Sequence, residues 1–259
     1  MERLVQDAML EVMLANSTIS CDQHGFQQKC SCITQLLECL QDWTENFDSK
    51  IQTDVIYLDF SKAFDTVPHD RLIHKLRQVG IRGKVLHWIK NFLKNRRQRV
   101  LMRNGYSSWQ NVTSGVPQGS ILGPLLFLIY VNDIPNHIST NIKLFADDTK
   151  IYNKIRDEQD CENLQNDLNG LSCWSKIWLL GFNAGKCVVL KIRDRIPYMY
   201  TLNGTELTQV HEQRDLGVII SDDLLPDKHI TEIIKKANLR IGVIKRCFSG
   251  LNERKIVLL

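Results

Sequence analysis

The sequence predicts an α+β fold in which antiparallel hairpins are mixed with helices. Apolar residues recur at helical spacing in several segments, which indicates amphipathic helices. Between them lie short runs of strand-forming residues joined by tight turns, such as 142–146 and 150–153 around Asp147-Asp148. Strands joined directly by a tight turn run antiparallel, so a doubly wound parallel sheet is not expected.

The first third of the chain is predicted to be mainly helical. A helix over 1–16 would bury a stripe of three residues, Leu4, Ala8 and Val12. A second helix, over about 31–47, would bury a stripe of five, Ile33, Leu36, Leu37, Leu40 and Trp43. The apolar run 55–58 predicts a strand that ends at Asp59. Pro68 is expected to open a helix that closes near Gly80, and a further helix covers about 83–94.

The remaining elements follow from turns and periodicity. A hairpin is expected over 99–102 and 106–112, around the turn Asn104-Gly105. It is followed by a loop over 114–119 and by an apolar helix that ends at about residue 131. After the hairpin that carries Asp147-Asp148, a long helix presents one apolar stripe: Leu164, Leu168, Leu171, Trp174 and Trp178. Strands are expected at about 187–192, at 199–202 before the turn Asn203-Gly204, and at 216–220. A last amphipathic helix begins near Pro226.

Composition indicates an intracellular protein, cytoplasmic or nuclear. The 259 residues carry 33 Lys and Arg against 29 Asp and Glu, a net charge of +4 that does not by itself indicate nucleic acid. Basic stretches at 90–99 and 235–246 could equally be solvated helix faces. The eight cysteines form no C-x-x-C pair, which favours free thiols in a reducing compartment over a zinc or disulfide framework. Neither a signal peptide nor an apolar run of bilayer length is recognisable.

Three carboxylates are the candidate catalytic groups. Asp59 follows an apolar strand, and Asp147 and Asp148 sit at the tip of an apolar hairpin. Either feature alone is explained by an ordinary solvated turn. Together, hard oxygen ligands on neighbouring strands favour a Mg²⁺ site that also takes phosphate oxygens as ligands. Two such ions could activate a 3′-hydroxyl and neutralise a leaving pyrophosphate.

Three longer segments contain or lie between these residues: VIYLDFSKAFD at 55–65, SGVPQGSILGP at 114–124 and LFADD at 144–148. In this order they resemble motifs A, B and C of the reverse transcriptases of LINE-type (non-LTR, jockey/CR1-like) retrotransposons. Residues 181–187 resemble motif D, and 215–218 the primer-grip region. The resemblance runs from about Asp22 to the last helix.

The resemblance implies a right-hand polymerase. Residues 1–53 would form helical fingers, and 54–193 a palm with a fingers-like insertion at about 68–112. Residues 194–259 would form the primer-grip region and a partial thumb, cut short at Leu259. The family's full-length proteins carry an endonuclease before the polymerase, and this sequence begins after that point. The implied activity is RNA-directed DNA polymerisation from an RNA template, a DNA primer and deoxynucleoside triphosphates, with no membrane.

Family roles carry over residue by residue. Asp59, Asp147 and Asp148 would ligate two Mg²⁺ ions, for which Mn²⁺ could substitute, and the backbone carbonyl of Phe60 would complete one site. Lys186 would act as general acid for pyrophosphate. The nucleotide would contact four further residues: Phe64, as a steric gate against a ribose 2′-hydroxyl, and Pro117, Gln118 and Gly119 beneath it. The primer backbone would lie along Leu216, Gly217 and Val218, whereas Asp65 would cap the following turn.

The fingers depart from the family pattern. Relatives usually carry arginines where this sequence has Gln27 and Cys30, which leaves Lys29 as the only cation before Ser31. Glutamine and cysteine cannot supply the bidentate contacts of arginine. A catalytically silent, nucleic-acid-binding remnant of the same domain is therefore the alternative function. A purely structural helical domain would require all the motifs to be coincidental.

Overall fold

A five-stranded sheet forms the centre of the computed structural model, which describes residues 1–15, 18–27, 29–103 and 105–247. All neighbouring strands are antiparallel except the pair at one edge, where β11 runs parallel to β8. The order across the sheet is β11 (Thr208–Val210), β8 (Val188–Ile192), β1 (Gln52–Leu58), β7 (Asp148–Ile155) and β6 (Asn141–Phe145). The predicted α+β class is confirmed.

Strand β1 lies at the middle of the sheet and is buried along its whole length. Because side chains alternate across a strand, Ile56 and Leu58 enter the larger hydrophobic core while Val55 and Tyr57 enter a smaller one. The smaller core is closed by Trp43, whose ring meets Tyr152 edge-on at 5.8 Å. Burial on both faces explains why residues 55–58 of β1 are continuously apolar rather than alternating.

Eight α-helices and a short 3₁₀ segment surround the sheet within the described part of the chain. The bounds are α1 Glu2–Ala15, α2 Cys32–Asp48, α3 Ala63–Thr66, α4 His69–Gln78, α5 Gly83–Leu93, α6 Leu122–Val131, 3₁₀ Ile134–His137, α7 Glu158–Trp178 and α8 Asp227–Cys247. Ser31 caps α2, with its hydroxyl accepting from the Thr34 backbone N–H. Every long helix that the sequence predicts is present, whereas the single-turn α3 was not predicted. None of the described helices is long and apolar enough to cross a membrane.

The predicted buried stripe of α1 is wrong by one position. Val5, Met9 and Met13 face the core, while Leu4 is 69% exposed. The helix has two adjacent apolar stripes with the same four-residue spacing, so periodicity alone does not say which one the neighbouring helices cover. Packing against α5 and α6 selects the second stripe.

The stripe predicted for α2 is partly wrong. Leu36 and Trp43 are buried as expected, but Ile33 and Leu37 are 69% and 60% exposed. Gln35 takes their place on the inner face, and its Nε2 donates to the Leu144 backbone oxygen at 2.8 Å. A buried glutamine with a specific partner cannot be recognised from hydrophobic periodicity.

Short two-stranded ladders complete the fold. Within the predicted fingers-like insertion, β2 (Arg97–Gln98) pairs with β5 (Gln110–Asn111) and β3 (Leu101–Met102) with β4 (Gly105–Tyr106). The hairpin is thus interrupted rather than continuous; Asn104 lies outside the described residues, and Gly105 belongs to β4. Two more hairpins are β9 (Thr201–Leu202) with β10 (Thr205–Glu206), around the predicted turn Asn203-Gly204, and β12 (Glu212–Asp215) with β13 (Val218–Ser221).

Two predicted strands begin later than expected. Met199 and Tyr200 precede β9, and Leu216-Gly217 form the turn between β12 and β13, with φ of +47° and +94°. A positive φ at both residues is incompatible with strand backbone. The division into fingers, palm and thumb at 53/54 and 193/194 stays a prediction.

A buried lysine lies in the larger core. The Lys75 ammonium is 3.8 Å from the centroid of the Trp178 ring, lies near the Tyr130 and Trp174 rings, and forms an ion pair with Asp133. Burial lowers the pKa of Lys75 to about 8, and the Asp133 carboxylate opposes that shift. This group therefore ties α4 to the end of α6 through charge as well as through packing.

Candidate active site

Two of the three predicted carboxylates meet at the end of adjacent strands. Leu58 of β1 pairs with Thr149 of β7, so that the next antiparallel register position places Asp59 opposite Asp148. Both residues line one cleft of about 420 Å³. Strand pairing alone therefore brings together side chains that are far apart along the chain.

Asp147 lies at the tip of the β6–β7 hairpin. The turn is Ala146-Asp147, not Asp147-Asp148 as the sequence suggested, because Asp148 is already the first residue of β7 and pairs with Phe145. Ala146 takes a left-handed φ of +57°, which closes the hairpin in two residues. Asp147 is exposed, and it is not among the residues that line the cleft.

Negative charge accumulates around Asp148. Asp148 is exposed on one side, but partial desolvation by the surrounding protein raises the pKa of its carboxyl. The negative charges of Asp147, Asp215 and Asp59 raise this pKa further. Such mutual repulsion is relieved by a cation, and carboxylate oxygens are the donors that Mg²⁺ prefers. The donor set therefore fits a divalent metal. Even so, no group of three His, Cys, Asp or Glu side chains in the described residues is already gathered at metal-binding spacing, so the three-aspartate ligand set stays a prediction.

The turn before β8 holds Asp59 from the other side. The Asn183 backbone N–H donates to the Asp59 carbonyl at 2.8 Å, and the Lys186 ammonium lies 3.6 Å from the Asp59 carboxylate. Below them the buried Cys187 thiol accepts the Asp59 backbone N–H at 3.4 Å. Sequence reasoning placed Lys186 here but missed Cys187, since a lone cysteine before a strand carries no recognisable pattern.

The turn between β12 and β13 forms the opposite wall of the cleft. Leu216 and Gly217 line it together with Asp59, whereas Val218 begins β13 and is not part of the wall. The adjacent Asp215 is buried and forms an ion pair with the buried Lys150 of β7. That pair joins the predicted primer-grip turn to the strand that begins at Asp148, and no sequence pattern predicts it.

Phe60 leaves the sheet next to the carboxylates. It forms an antiparallel bridge with Phe182, and the two rings stack at 4.6 Å. The hydrogen bonds around the bridge are made by the neighbouring residues: Ser61 N donates to Gly181 O, and Asn183 N donates to Asp59 O. Phe60 and Phe182 are therefore a pair of the type in which the two residues share no backbone hydrogen bond. In such a pair the residue's own carbonyl points away from the partner strand, so the Phe60 oxygen is directed away from Phe182.

The predicted nucleotide-binding loop packs against α3. The Val116 N–H donates to the Phe64 carbonyl at 2.7 Å, and the Phe64 ring stacks on Phe127 of α6 at 4.5 Å. Gln118 Nε2 donates to Asp65 Oδ1 at 3.0 Å, so the expectation that Asp65 caps a turn is wrong: its side chain holds Gln118.

Gly115 permits this close packing. Its φ is +89°, and a Cβ there would lie 2.7 Å from the Asp65 carbonyl oxygen. The backbone of the loop could not approach α3 so closely with any larger residue.

Seven of the twelve predicted site residues line one of two clefts. Asp59, Asp148, Lys186, Leu216 and Gly217 line the first. The second, of about 760 Å³, is lined by Pro117 and Gln118 together with three cations: Lys62, Arg96 and Arg97. Gly119 is exposed with a φ of +77° and belongs to neither lining. The structure therefore unites three of the four catalytic candidates, Asp59, Asp148 and Lys186, and sets the loop 114–119 beside a basic cleft.

A buried glutamine that the sequence did not single out fixes the Ala146-Asp147 turn. Gln23 is 1% exposed, and its Oε1 accepts the N–H groups of Ala146 at 3.0 Å and Gly25 at 2.7 Å. Gly25 is needed here because a Cβ would lie 2.4 Å from the Ala146 nitrogen. Asp22 and His24 bond the backbone of Leu144 on either side, so residues 22–25 extend the sheet next to β6.

One of the residues that depart from the family pattern, Gln27, has structural contacts. Gln27 Nε2 donates to the carbonyls of Gln23 at 2.5 Å and Ser20 at 3.3 Å, so it braces the same segment. Lys29 is exposed with a φ of +65°, and Cys30 is half-buried. Gln28 lies outside the described residues.

Comparisons with known proteins agree on one family. The model of the family "Reverse transcriptase (RNA-dependent DNA polymerase)" matches residues 1–220. The chain is 30% identical over 99% of its length to the probable RNA-directed DNA polymerase from transposon X-element of Drosophila melanogaster, and 30% identical over 98% to the RNA-directed DNA polymerase from mobile element jockey of Drosophila funebris. It spans 29% of the length of each of these relatives.

Among solved structures, apo telomerase from Candida tropicalis has a similar fold. The TM-score is 0.60 at 10% identity, over 87% of this chain and 41% of that one. A structure of telomerase from the same organism in complex with the TWJ fragment of telomeric RNA gives a TM-score of 0.56 at 10% identity, over 86% and 37%. At such identities the likeness supports the polymerase fold and nothing finer.

Proposed function

This chain belongs to the reverse transcriptase (RNA-dependent DNA polymerase) family, as expected from motifs A to C, and we propose that it extends the 3′ end of a DNA primer on an RNA template. One observation carries the proposal: Asp59 and Asp148 face each other from adjacent strands in a cleft shared with Lys186 and the β12–β13 turn. The relatives' names, and the telomerase complex with RNA, support the choice of template.

Two Mg²⁺ ions, or Mn²⁺ in their place, would be held by Asp59, Asp147 and Asp148 with the Phe60 carbonyl. When bound, they would supply activation of the primer hydroxyl and neutralisation of pyrophosphate charge. The protein's own part is to hold the carboxylates. Strand pairing fixes Asp148, the Gln23 side chain fixes the turn that carries Asp147, and the Asn183 N–H and Cys187 thiol fix the Asp59 backbone.

The other site residues have proposed roles that fit their positions. Lys186, in an ion pair with Asp59, would donate a proton to the departing pyrophosphate. Phe64 would exclude a 2′-hydroxyl, and its ring can resist displacement because it stacks on Phe127. Pro117, Gln118 and Gly119 would lie beneath the nucleotide, with Gln118 oriented by Asp65. Leu216, Gly217 and Val218 would contact the primer backbone.

The alternative function is a catalytically silent nucleic-acid-binding domain. It is favoured by the fingers, where Gln27 donates to backbone carbonyls and cannot replace an arginine that contacts phosphate. A domain of this kind would bind RNA in a salt-sensitive manner without extending a primer.

Primer extension on a homopolymer RNA template separates the two functions. The wild-type chain should incorporate deoxynucleotides only when Mg²⁺ is present, and Asp59→Ala or Asp147→Asn should abolish incorporation. The control is Asp7→Asn, which removes an exposed carboxylate on α1 and should leave extension unchanged. RNA binding without extension by the wild-type chain, unchanged by Asp147→Asn, would establish the silent domain instead.

A further inference from the structure

The fingers-like insertion carries an unusual concentration of positive charge. From Arg71 to Asn132 the sequence has eleven Lys and Arg and no Asp or Glu. Four of these cations, Arg96, Arg97, Arg99 and Arg103, lie on an exposed arm that we define as residues 96–103 and 105–111. Within the described part of the chain, none of the four lies within ion-pair distance of a carboxylate.

Aromatic rings alternate with these arginines on the arm. The Arg99 guanidinium lies 3.8 Å from the centroid of the Tyr106 ring and 4.5 Å from that of Trp109, and Arg97 lies 5.5 Å from Trp109. Both rings remain largely accessible, at 61% exposure for Tyr106 and 51% for Trp109. Cations held against open aromatic faces offer stacking surfaces and phosphate-binding groups side by side.

The arm leaves apolar surface in water as well. Leu101 and Met102 of β3 are 68% and 72% exposed, and they line no core of the described chain. The neighbouring Val100 is 63% exposed as well, and exposed apolar side chains grouped in one segment favour a binding surface. The surrounding charge selects the partner, because a patch rich in arginine and devoid of acidic residues complements a polyanion better than an apolar protein surface.

We propose that the arm binds an unpaired strand of RNA, with bases stacked on Tyr106 and Trp109 and phosphates contacted by the arginines. This inference rests on the proposed function, in which that strand is the part of the template that has not yet been copied. The arm is continuous with the site, since Arg96 and Arg97 line the same cleft as Pro117 and Gln118. An RNA strand on the arm therefore leads to the loop that we place beneath the incoming nucleotide.

An unpaired strand fits better than a duplex. Stacking on a side chain needs a base whose face is free, and in a paired helix the faces are already stacked on their neighbours. A duplex would meet only the arginines and would gain nothing from Trp109. The two ligands are thus distinguished by one side chain.

The test measures binding of the full chain to a labelled adenine-homopolymer RNA by fluorescence anisotropy over a range of salt concentrations. A fully paired RNA duplex serves as the second ligand. Trp109→Ala should weaken binding of the single strand about tenfold, with the salt dependence unchanged, and should leave duplex binding as in the wild type. Arg97→Gln should lower the slope of log K against log salt by about 0.7, as expected for one lost phosphate contact. Both side chains are exposed, so circular dichroism should show an unchanged fold.

Matched controls are Ile177→Ala and Arg3→Gln, which remove an exposed apolar group and an exposed arginine outside the arm. Both should bind like the wild type. The proposal is overturned if Trp109→Ala binds the single strand as tightly as the wild type does, or if it loses affinity for the duplex to the same extent. A wild-type chain that self-associates through the arm, with dimers lost in Trp109→Ala and RNA binding unaffected, would overturn it in favour of a second copy.

Failure of this proposal can be told from failure of the polymerase proposal. If the wild type extends primers and both arm variants bind RNA normally, only the arm proposal fails. If the wild type never extends a primer but loses single-strand binding in both arm variants, only the polymerase proposal fails.

Discussion

Replacing Gln23 with leucine should destabilise the protein by about 2–6 kcal/mol. The leucine has a similar volume but no acceptor, so the N–H groups of Ala146 and Gly25 lose their partner inside the protein. Each buried donor left without an acceptor costs about 1–3 kcal/mol. The magnitude follows from two such donors at a site that is 1% exposed.

Gln35→Leu provides the matched comparison. Gln35 is equally buried but donates only to the Leu144 carbonyl, which also accepts the His24 N–H and so keeps a partner. Its substitution should therefore cost less than about 1 kcal/mol. Urea unfolding followed by circular dichroism measures both variants, and a constant m-value shows that the midpoints report stability.

Two results would refute the reasoning. Equal destabilisation by Gln23→Leu and Gln35→Leu would mean that the number of orphaned donors does not set the cost. A loss below about 1 kcal/mol for Gln23→Leu would mean that water replaces the side chain at the Ala146 turn. In either case Gln23 would no longer explain how the hairpin that carries the carboxylates is fixed.

Three other substitutions test further parts of the structure. Lys150→Met should lower the free energy of unfolding in urea by about 3–5 kcal/mol because it leaves the Asp215 carboxylate buried and unpaired. Adding Asp215→Leu should restore most of that loss, and no recovery in the double variant would contradict this explanation. Gly115→Ala should destabilise more than Gly204→Ala in the same assay, since both have positive φ but only the first would place a Cβ against backbone; equal losses would show that the loop relaxes. The pKa of Lys75 falls to about 8 on folding, so the unfolded chain binds more protons than the folded chain between about pH 8 and 10.5. The free energy of unfolding should therefore rise with pH in that window, by at most about 3 kcal/mol more in the wild type than in Lys75→Met. Parallel pH profiles of the two proteins would argue against the shift.

The sequence predicted the fold class and the meeting of Asp59 with the motif C hairpin, because both depend on strong local signals. An apolar run ending in aspartate and an apolar hairpin with an acidic tip are visible in one sequence, and sheet pairing does the rest. Which helix stripe is buried was less predictable. In α1 the choice between Leu4 and Val5 depends on neighbours whose positions periodicity does not give.

The polar contacts that hold the site were not predicted at all. Gln23, Cys187 and the Lys150–Asp215 pair act through side chains that each have a partner more than 60 positions away. A glutamine or a thiol carries no sequence pattern that reveals a distant backbone partner, and a lysine in a strand looks like a solvated one. Asp65 was misassigned for the same reason: its partner Gln118 lies in another loop.

The side chains of β1 alternate between two hydrophobic cores, and this restricts changes in the register of the strand. A shift of the strand by one residue would exchange Ile56 and Leu58 with Val55 and Tyr57, so that each core would receive the side chains shaped for the other. The same shift would turn Asp59 to the opposite side of the sheet. Misplacing the carboxylate therefore requires disrupting both cores at once, and insertions or deletions between Gln52 and Leu58 should be rejected at the level of folding before they affect chemistry.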